Sequence, residues 1–280
     1  LTGDGGDEIF AGYNRYTVGR AFSKFIDRTP VFSKKILRTI LSSLPEGTFN
    51  NIGHSLPGHF KINQLGSKLR KLSSVLEKNS ADEIYLSIIS HWDSRSGVIR
   101  NWDEHKGIIW NRELKNDFPD FLNRMQILDT LTYLPDDILT KVDRASMAVG
   151  LEARVPFLDN NLIKFAWSLP QSLKLKNTRT KWILRQILKE YVPNHLTNRP
   201  KMGFGVPLAE WLRGPLKEWA NHLLDEDKLK QEKFFSADVI KNMWNAHLSG
   251  QNYSYQLWDV LMFQAWLEHQ KLTYNSDLSS

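Results

Sequence analysis

Leu1-Thr2-Gly3-Asp4-Gly5-Gly6-Asp7-Glu8-Ile9-Phe10-Ala11-Gly12-Tyr13-Asn14-Arg15-Tyr16 opens the chain, and its reading decides the rest. Glycines and acids fill positions 3 to 8, and an apolar, helix-like run follows at once. Glycine lets a backbone come close to a ligand because it carries no side chain. Backbone N–H groups beside carboxylates form a place where a metal-bound phosphate can sit. A plainer reading is also open: a tight turn whose Asp7 caps a helix running to about Gly19. The acids are not at the alternate positions of a calcium EF-hand, and no Lys-Ser/Thr follows to make a Walker A loop. The turn begins one residue into the chain, so the element that leads into it is expected upstream, in a longer protein.

Composition narrows the classes. A chain of 280 residues, 41% hydrophobic and 24% charged, can bury a substantial core in one large domain or two small ones. No apolar run approaches the ~20 residues that cross a bilayer, so no membrane partner is expected. The absence of cysteine excludes disulfides, zinc thiolate sites and a cysteine nucleophile within this segment, which fits a cytoplasmic protein. The net charge of +6 comes from 37 basic and 31 acidic residues, interspersed in sign. The basic stripe Arg20, Lys24, Arg28, Lys34, Lys35, Arg38, Lys61, Lys68, Arg70 and Lys71 is not interleaved with aromatics. It reads as a solvated helix face, with no nucleic-acid partner. The eight histidines show no metal-ligand spacing, and the tryptophans of the last third read as core.

The texture is helical nearly throughout, with no convincing strand. Apolar spacing predicts helices over 31–44, 59–77, from Ser80 to about Trp92, and two over 118–150 joined near Leu134-Pro-Asp-Asp137. Ser80 is placed as a cap with Glu83 at the third helical position. Asp159 caps a helix to about Trp167, and Thr178 or Thr180 opens one to Tyr191. Helices near 207–213, 215–230, 236–248 and 254–270 close the chain.

Two further stretches can carry chemistry. Leu134-Pro-Asp-Asp-Ile-Leu-Thr-Lys-Val-Asp-Arg-Ala-Ser-Met-Ala-Val-Gly-Leu-Glu-Ala-Arg-Val-Pro-Phe-Leu-Asp159 is dense in charges of both signs. Such charges pair on a surface helix, or must pair if buried. Arg199-Pro-Lys-Met-Gly-Phe-Gly-Val-Pro207 holds Lys201 between Pro and Gly residues. A compact cation there suits a phosphate or a developing anion, and equally suits solvent.

Taken together and in this order, Thr-Gly-Asp-Gly-Gly-Asp-Glu-Ile-Phe-Ala-Gly-Tyr, Gly-Leu-Glu-Ala-Arg-Val-Pro-Phe-Leu-Asp and Arg-Pro-Lys-Met-Gly-Phe closely resemble the synthetase domain of glutamine-dependent asparagine synthetases. The match runs from Leu1 to about Leu212. The resemblance implies an α/β core of the PP-loop ATPase type (adenine nucleotide α-hydrolase-like), with most of its parallel sheet encoded upstream. The part present is then mainly α, with one residual strand near the N-terminus and an exposed apolar patch where upstream strands pack. Residues 1–270 form one body with no internal boundary, and 271–280 a disordered tail. The implied activity uses ATP and Mg²⁺ to convert the side-chain carboxylate of aspartate to an acyl-adenylate. Ammonia then displaces AMP. It comes from glutamine through an N-terminal glutaminase domain that this sequence lacks, as it lacks the Ser-Gly-Gly-x-Asp-Ser pyrophosphate loop. A homodimer is compatible with the resemblance, and the segment by itself is expected to be inactive.

By the same resemblance, the backbone at Thr2 and Gly3 contacts the nucleotide. Asp4 holds the aspartyl-adenylate, where the family often carries the longer Glu. Asp7 is a Mg²⁺ ligand, with Glu8 beside it. Lys201 binds phosphate and stabilises the transition state. An acid among Asp136, Asp137 and Asp143 meets the ammonia or the substrate amine, and Glu152 and Arg154 brace the site. Two alternatives stay open: a β-lactam synthetase-like enzyme or polysaccharide-linked amidotransferase acting on another carboxylate, and a helical scaffold without catalysis.

Overall fold

The computed structural model describes residues 1–30, 32–33, 78, 80–92, 96–100, 107–197 and 205–277. The predicted helix 59–77, nearly all of 31–44, and Lys201 lie outside the described residues. Packing separates the chain into two compact units, Leu1–Ile89 with Lys106–Arg199, and Ser90–His105 with Pro200–Ser280. The sequence pattern marks no such division. It arises because one set of buried apolar side chains runs from Ala11 to Leu175, and another joins Val98 to residues from Leu208 onward.

In the first unit, α1 (Gly6–Ile9) and α2 (Asn14–Arg28) precede α3 (Ala81–Ile89), α4 (Arg112–Asp117) and α5 (Phe121–Leu131). A π-helical turn, Leu134–Leu139, leads into α6 (Thr140–Met147). A 3₁₀ turn, Pro156–Leu158, leads into α7 (Asn160–Ser168), α8 (Gln171–Lys174), α9 (Trp182–Tyr191) and α10 (Asn194–Thr197). Helices α1 and α2 pack on α5, and α2 packs on α3. Tyr16, Tyr85, Leu122, Met125, Leu128 and Leu175 fill that junction. Arg124 and Asp82 form a buried ion pair there at 2.6 Å, and Arg124 also donates to the Phe118 carbonyl at 3.0 Å.

Local chemistry explains several boundaries. The Ser80 Oγ accepts from the Glu83 N–H at 3.2 Å, and Asp159 accepts from the N–H groups of Asn161 and Leu162. These are the expected caps. The predicted helix from Asp7 to Gly19 is instead two helices, and its N-cap is Gly5, with Asp7 inside the first turn. The Gly12 N–H closes on the Asp7 carbonyl at 2.7 Å, which ends α1 before α2 begins. Among the described residues there is no strand, only the isolated bridges Ile99–Phe235 and Lys176–Arg179, so the residual strand near the N-terminus is not seen. No described helix is long and apolar enough to cross a membrane.

The second unit comprises α11 (Leu208–Arg213), α12 (Lys217–Leu223), α13 (Glu226–Glu232), α14 (Ala237–Leu248) and α15 (Ser254–Asp277). Asp225 splits the predicted 215–230 helix by capping α13 through the Lys228 N–H. Helix α15 passes the expected end at 270, and Lys271 pairs with Glu232 at 2.7 Å. Leu212, Leu223, Leu229, Ile240, Leu257 and Leu261 are its core. Of the late tryptophans, Trp244 is buried, while Trp211 and Trp266 are exposed.

His247 joins α14 to the start of α15. Its Nε2 faces the Ala209 carbonyl at 3.3 Å, its Nδ1 accepts from the Tyr253 N–H at 3.2 Å, and its ring stacks on Trp244. These bonds need a neutral ring, and burial with the nearby Arg213 charge lowers its pKa from the ordinary 6.5, against the smaller pulls of the Ala209 carbonyl and Glu210. The unfolded chain therefore takes up its proton first as pH falls. The stabilisation is complete above about pH 6.5 and is lost as pH drops through the folded-state value. Thermal unfolding between pH 7.5 and 5 should show a falling Tm, and His247→Gln should flatten that slope.

Candidate active site at the opening turn

The first residues are stitched to the charged stretch that follows α6. The Thr2 N–H donates to the Arg154 carbonyl at 2.9 Å, and the Thr2 hydroxyl donates to the Asp4 carboxylate at 2.7 Å. Gly5 then turns the chain in the left-handed region, with φ 79°. A Cβ there would also lie 2.4 Å from Leu158 Cδ2. Glycine is thus required both by conformation and by contact. The structure therefore brings two of the three quoted motifs together, the opening turn and the Glu152–Asp159 segment. The third, around Lys201, lies outside the described residues.

Asp7 and Glu8 have opposite environments. The Asp7 carboxylate is a quarter exposed and meets the Lys181 ammonium at 3.1 Å. Gly12 forms the floor of that pair: a Cβ on it would stand 1.9 Å from Asp7 Oδ1 and 2.4 Å from Lys181 Cε. Lys181 itself is left-handed, with φ 52°, at the N-cap of α9. A lysine held there costs on the order of 1 kcal/mol, and such outliers gather at functional sites.

Glu8 is buried. Its carboxylate accepts from the Tyr13 hydroxyl at 2.6 Å, and its carbonyl accepts from the Gln126 amide at 2.6 Å. Burial raises the Glu8 pKa, the bond from Tyr13 lowers it in part, and the Asp7 and Asp129 charges add to the rise. The Tyr13 hydroxyl is pushed up by burial and by Glu8, so it stays a donor.

Tyr13 leads on to a second buried acid. The Arg15 guanidinium lies 4.1 Å from the Tyr13 ring centre and 4.5 Å from that of Tyr133. Its Nε donates to Asp129 at 2.9 Å, and Asp129 also accepts from the Tyr85 hydroxyl. Burial raises the Asp129 pKa, opposed by Arg15. Tyr133 stands beside Asp137, whose charge helps raise the Tyr133 pKa after burial does. Of the three acids weighed from sequence, Asp137 is thus the one linked to the opening turn, through Tyr133 and Tyr13. Asp136 is exposed, and Asp143 pairs with its neighbour Arg144 at 3.5 Å. Asp137 stands in the π-helical turn, an arrangement frequent at functional sites, and pairs with Lys141 at 2.8 Å. The Glu152–Arg154 pair is exposed, and Arg154 braces the turn through its backbone carbonyl.

Sequence reasoning missed Lys181, Gln126 and the Tyr13–Arg15–Tyr133 stack. Lys181 directly follows Thr180, one of the two threonines expected to open α9, with no local signal that it returns to Asp7. Among the described residues no group of three His or acidic side chains could cage a metal. The partly exposed carboxylates Asp7 and Asp4 suit Mg²⁺, which takes one or two carboxylates and completes its shell with phosphate oxygens and water.

The asparagine synthase family model matches residues 1–268, and the chain belongs to that family. It is 30% identical over 267 residues to glutamine-hydrolyzing asparagine synthetase 1 of Bacillus subtilis (strain 168), covering 95% of this chain and 39% of that protein. It is 33% identical over 125 residues to the glutamine-hydrolyzing asparagine synthetase 3 of the same organism, covering 40% of this chain and 20% of that protein. Amidase chyE of Penicillium rubens is 26% identical over 261 residues, or 88% of this chain and 36% of that protein. The chain thus spans about two fifths of the length of the first of these relatives. No solved structure gives a significant match.

Gly12→Ala should force Asp7 and Lys181 apart. The expected outcome is an intact fold by circular dichroism, with the amides of residues 7–12 exchanging about tenfold faster with solvent.

Proposed function

We propose that the protein carrying this chain joins ammonia to the side-chain carboxylate of aspartate at the expense of ATP, as a glutamine-dependent asparagine synthetase. Membership of the asparagine synthase family over residues 1–268 is the observation that carries this reading. The opening turn supports it by presenting Asp7 and Lys181 on an accessible face over a glycine floor. In this reading the fold is completed by an α/β PP-loop core, and glutamine hydrolysis is supplied by a glutaminase domain of the same enzyme.

The chemistry assigns roles as follows. A carboxylate oxygen of aspartate attacks the α-phosphorus of ATP, pyrophosphate leaves, and β-aspartyl-AMP forms. Ammonia then attacks the acyl carbon, and AMP leaves with the bonding electrons while the amide nitrogen gives up a proton. The first step brings two anions together, so cations dominate its catalysis. Mg²⁺ bound at Asp7 would supply charge neutralisation on the phosphates. Lys201 binds the phosphates and stabilises the charge that develops on pyrophosphate, while Thr2 and Gly3 hold the nucleotide by their backbone. Lys181 holds Asp7 in place before the nucleotide arrives. Asp4, oriented by the Thr2 hydroxyl, holds the adenylate, and Asp137 meets the incoming amine.

A second reading keeps the adenylation and changes the acceptor carboxylate. The similarity to amidase chyE favours it. Pyrophosphate exchange across a panel of carboxylic acids separates the two, with aspartate as the expected preference.

Lys201→Ala in the full-length protein should abolish aspartate-dependent ATP–pyrophosphate exchange and leave glutamine hydrolysis intact. Unimpaired exchange would refute the role. Asp7→Asn should raise the Mg²⁺ concentration needed for half-maximal exchange by about tenfold or more, and an unchanged titration would remove it from the metal site.

A further inference from the structure

We propose that Gln126 is a positioning residue for the opening turn: its buried amide clamps the Glu8 carbonyl, and so aims the adjacent Asp7 carboxylate at the face it shares with Lys181. The assignment of metal ligation to Asp7 rests on the reading above; the clamp itself rests on the following geometry.

Helix α1 is four residues long, too short to hold itself. The first turn of a helix fixes several residues for one hydrogen bond, and terminal carbonyls find no partner inside the helix. Its local ties include the Gly6 N–H to the Gly3 carbonyl at 3.4 Å, the Ile9 N–H to the Gly5 carbonyl at 3.1 Å and the Gly12 N–H to the Asp7 carbonyl at 2.7 Å. The Glu8 carbonyl is met instead from α5, by Gln126 Nε2 at 2.6 Å across 118 positions of sequence. Gln126 is fully buried.

An amide can face either way, and the wrong end would set two acceptors against each other. Here the orientation is fixed by a neighbour. Gln126 Oε1 accepts from Gln171 Nε2 at 2.7 Å, and the same nitrogen reaches Asn123 Oδ1. A row of amides therefore runs from α8 through α5 to α1. Tyr13 holds the Glu8 side chain at the same time. With residue 8 fixed inward at both its backbone and its side chain, the residue before it is turned toward the accessible side, where Asp7 meets Lys181.

The test uses the full-length protein carrying Gln126→Met, which keeps volume and removes the donor. Ile84→Ala, a core change on α3 where Ile84 packs with Phe22 and Ile88, serves as the control for lost stability. Two readouts separate aiming from mere packing: amide hydrogen exchange of residues 5–12, and the Mg²⁺ dependence of ATP–pyrophosphate exchange. Gln126→Met should speed exchange in the turn at least tenfold, and raise the Mg²⁺ midpoint about tenfold, the usual scale for losing a group that orients a metal ligand. Ile84→Ala should lower Tm with neither effect. If Gln126→Met fails to fold, Gln171→Leu, which frees the amide to flip, should give the same two changes. A lower Tm with unchanged turn exchange and Mg²⁺ midpoint would overturn the proposal. Should the wild type catalyse no such reaction, the functional reading fails, while hydrogen exchange still decides the clamp.

Discussion

Burying the Glu8 carboxylate beside a partly exposed Asp7 is the constraint on which the opening turn depends. A carboxylate loses several kcal/mol of hydration on burial unless it is hydrogen-bonded. Tyr13 supplies that bond, and the Tyr13 ring is in turn held by Arg15 against Tyr133. Arg15 answers a second buried acid, Asp129, which Tyr85 ties to α3. The turn is therefore fastened to α2, α3 and α5 by polar groups that satisfy one another. Breaking one member strands the next.

Much of this was legible where the physics is local. Ser80 and Asp159 act as caps because a side-chain oxygen two or three residues from free N–H groups has little else to do. The glycines of the turn, the mainly α texture and the family resemblance were also open to reading. What escaped is tertiary. Nothing near Asp7 says that the helix must stop at Ile9; Gly12 closes it because Asp7 and Lys181 occupy the space where a side chain would be. Nothing near Lys181 says that it returns to Asp7. The π-helical turn depends on Pro135, whose missing N–H the spacing of apolar residues does not register.

The charged stretch from Asp136 to Arg154 shows how little charge density says by itself. Asp137–Lys141, Asp143–Arg144 and Glu152–Arg154 pair locally and are exposed, so each contributes at most about 1 kcal/mol. Helix α6 has no buried residue; Met147 at its end is exposed, as are Val149 and Leu151 beyond it. Arg154 reaches the turn through its backbone carbonyl, and Asp137 through its aromatic neighbour Tyr133, which packs on Tyr13.

A crystal structure of the full-length protein with Mg²⁺ and a non-hydrolysable ATP analogue tests the central claim most directly. The account predicts the metal about 2.1 Å from an Asp7 carboxylate oxygen, with the Lys201 ammonium on the phosphates. Phosphates bound away from the turn, or a Lys201 ammonium on the opposite side of the molecule from Asp7, would contradict it.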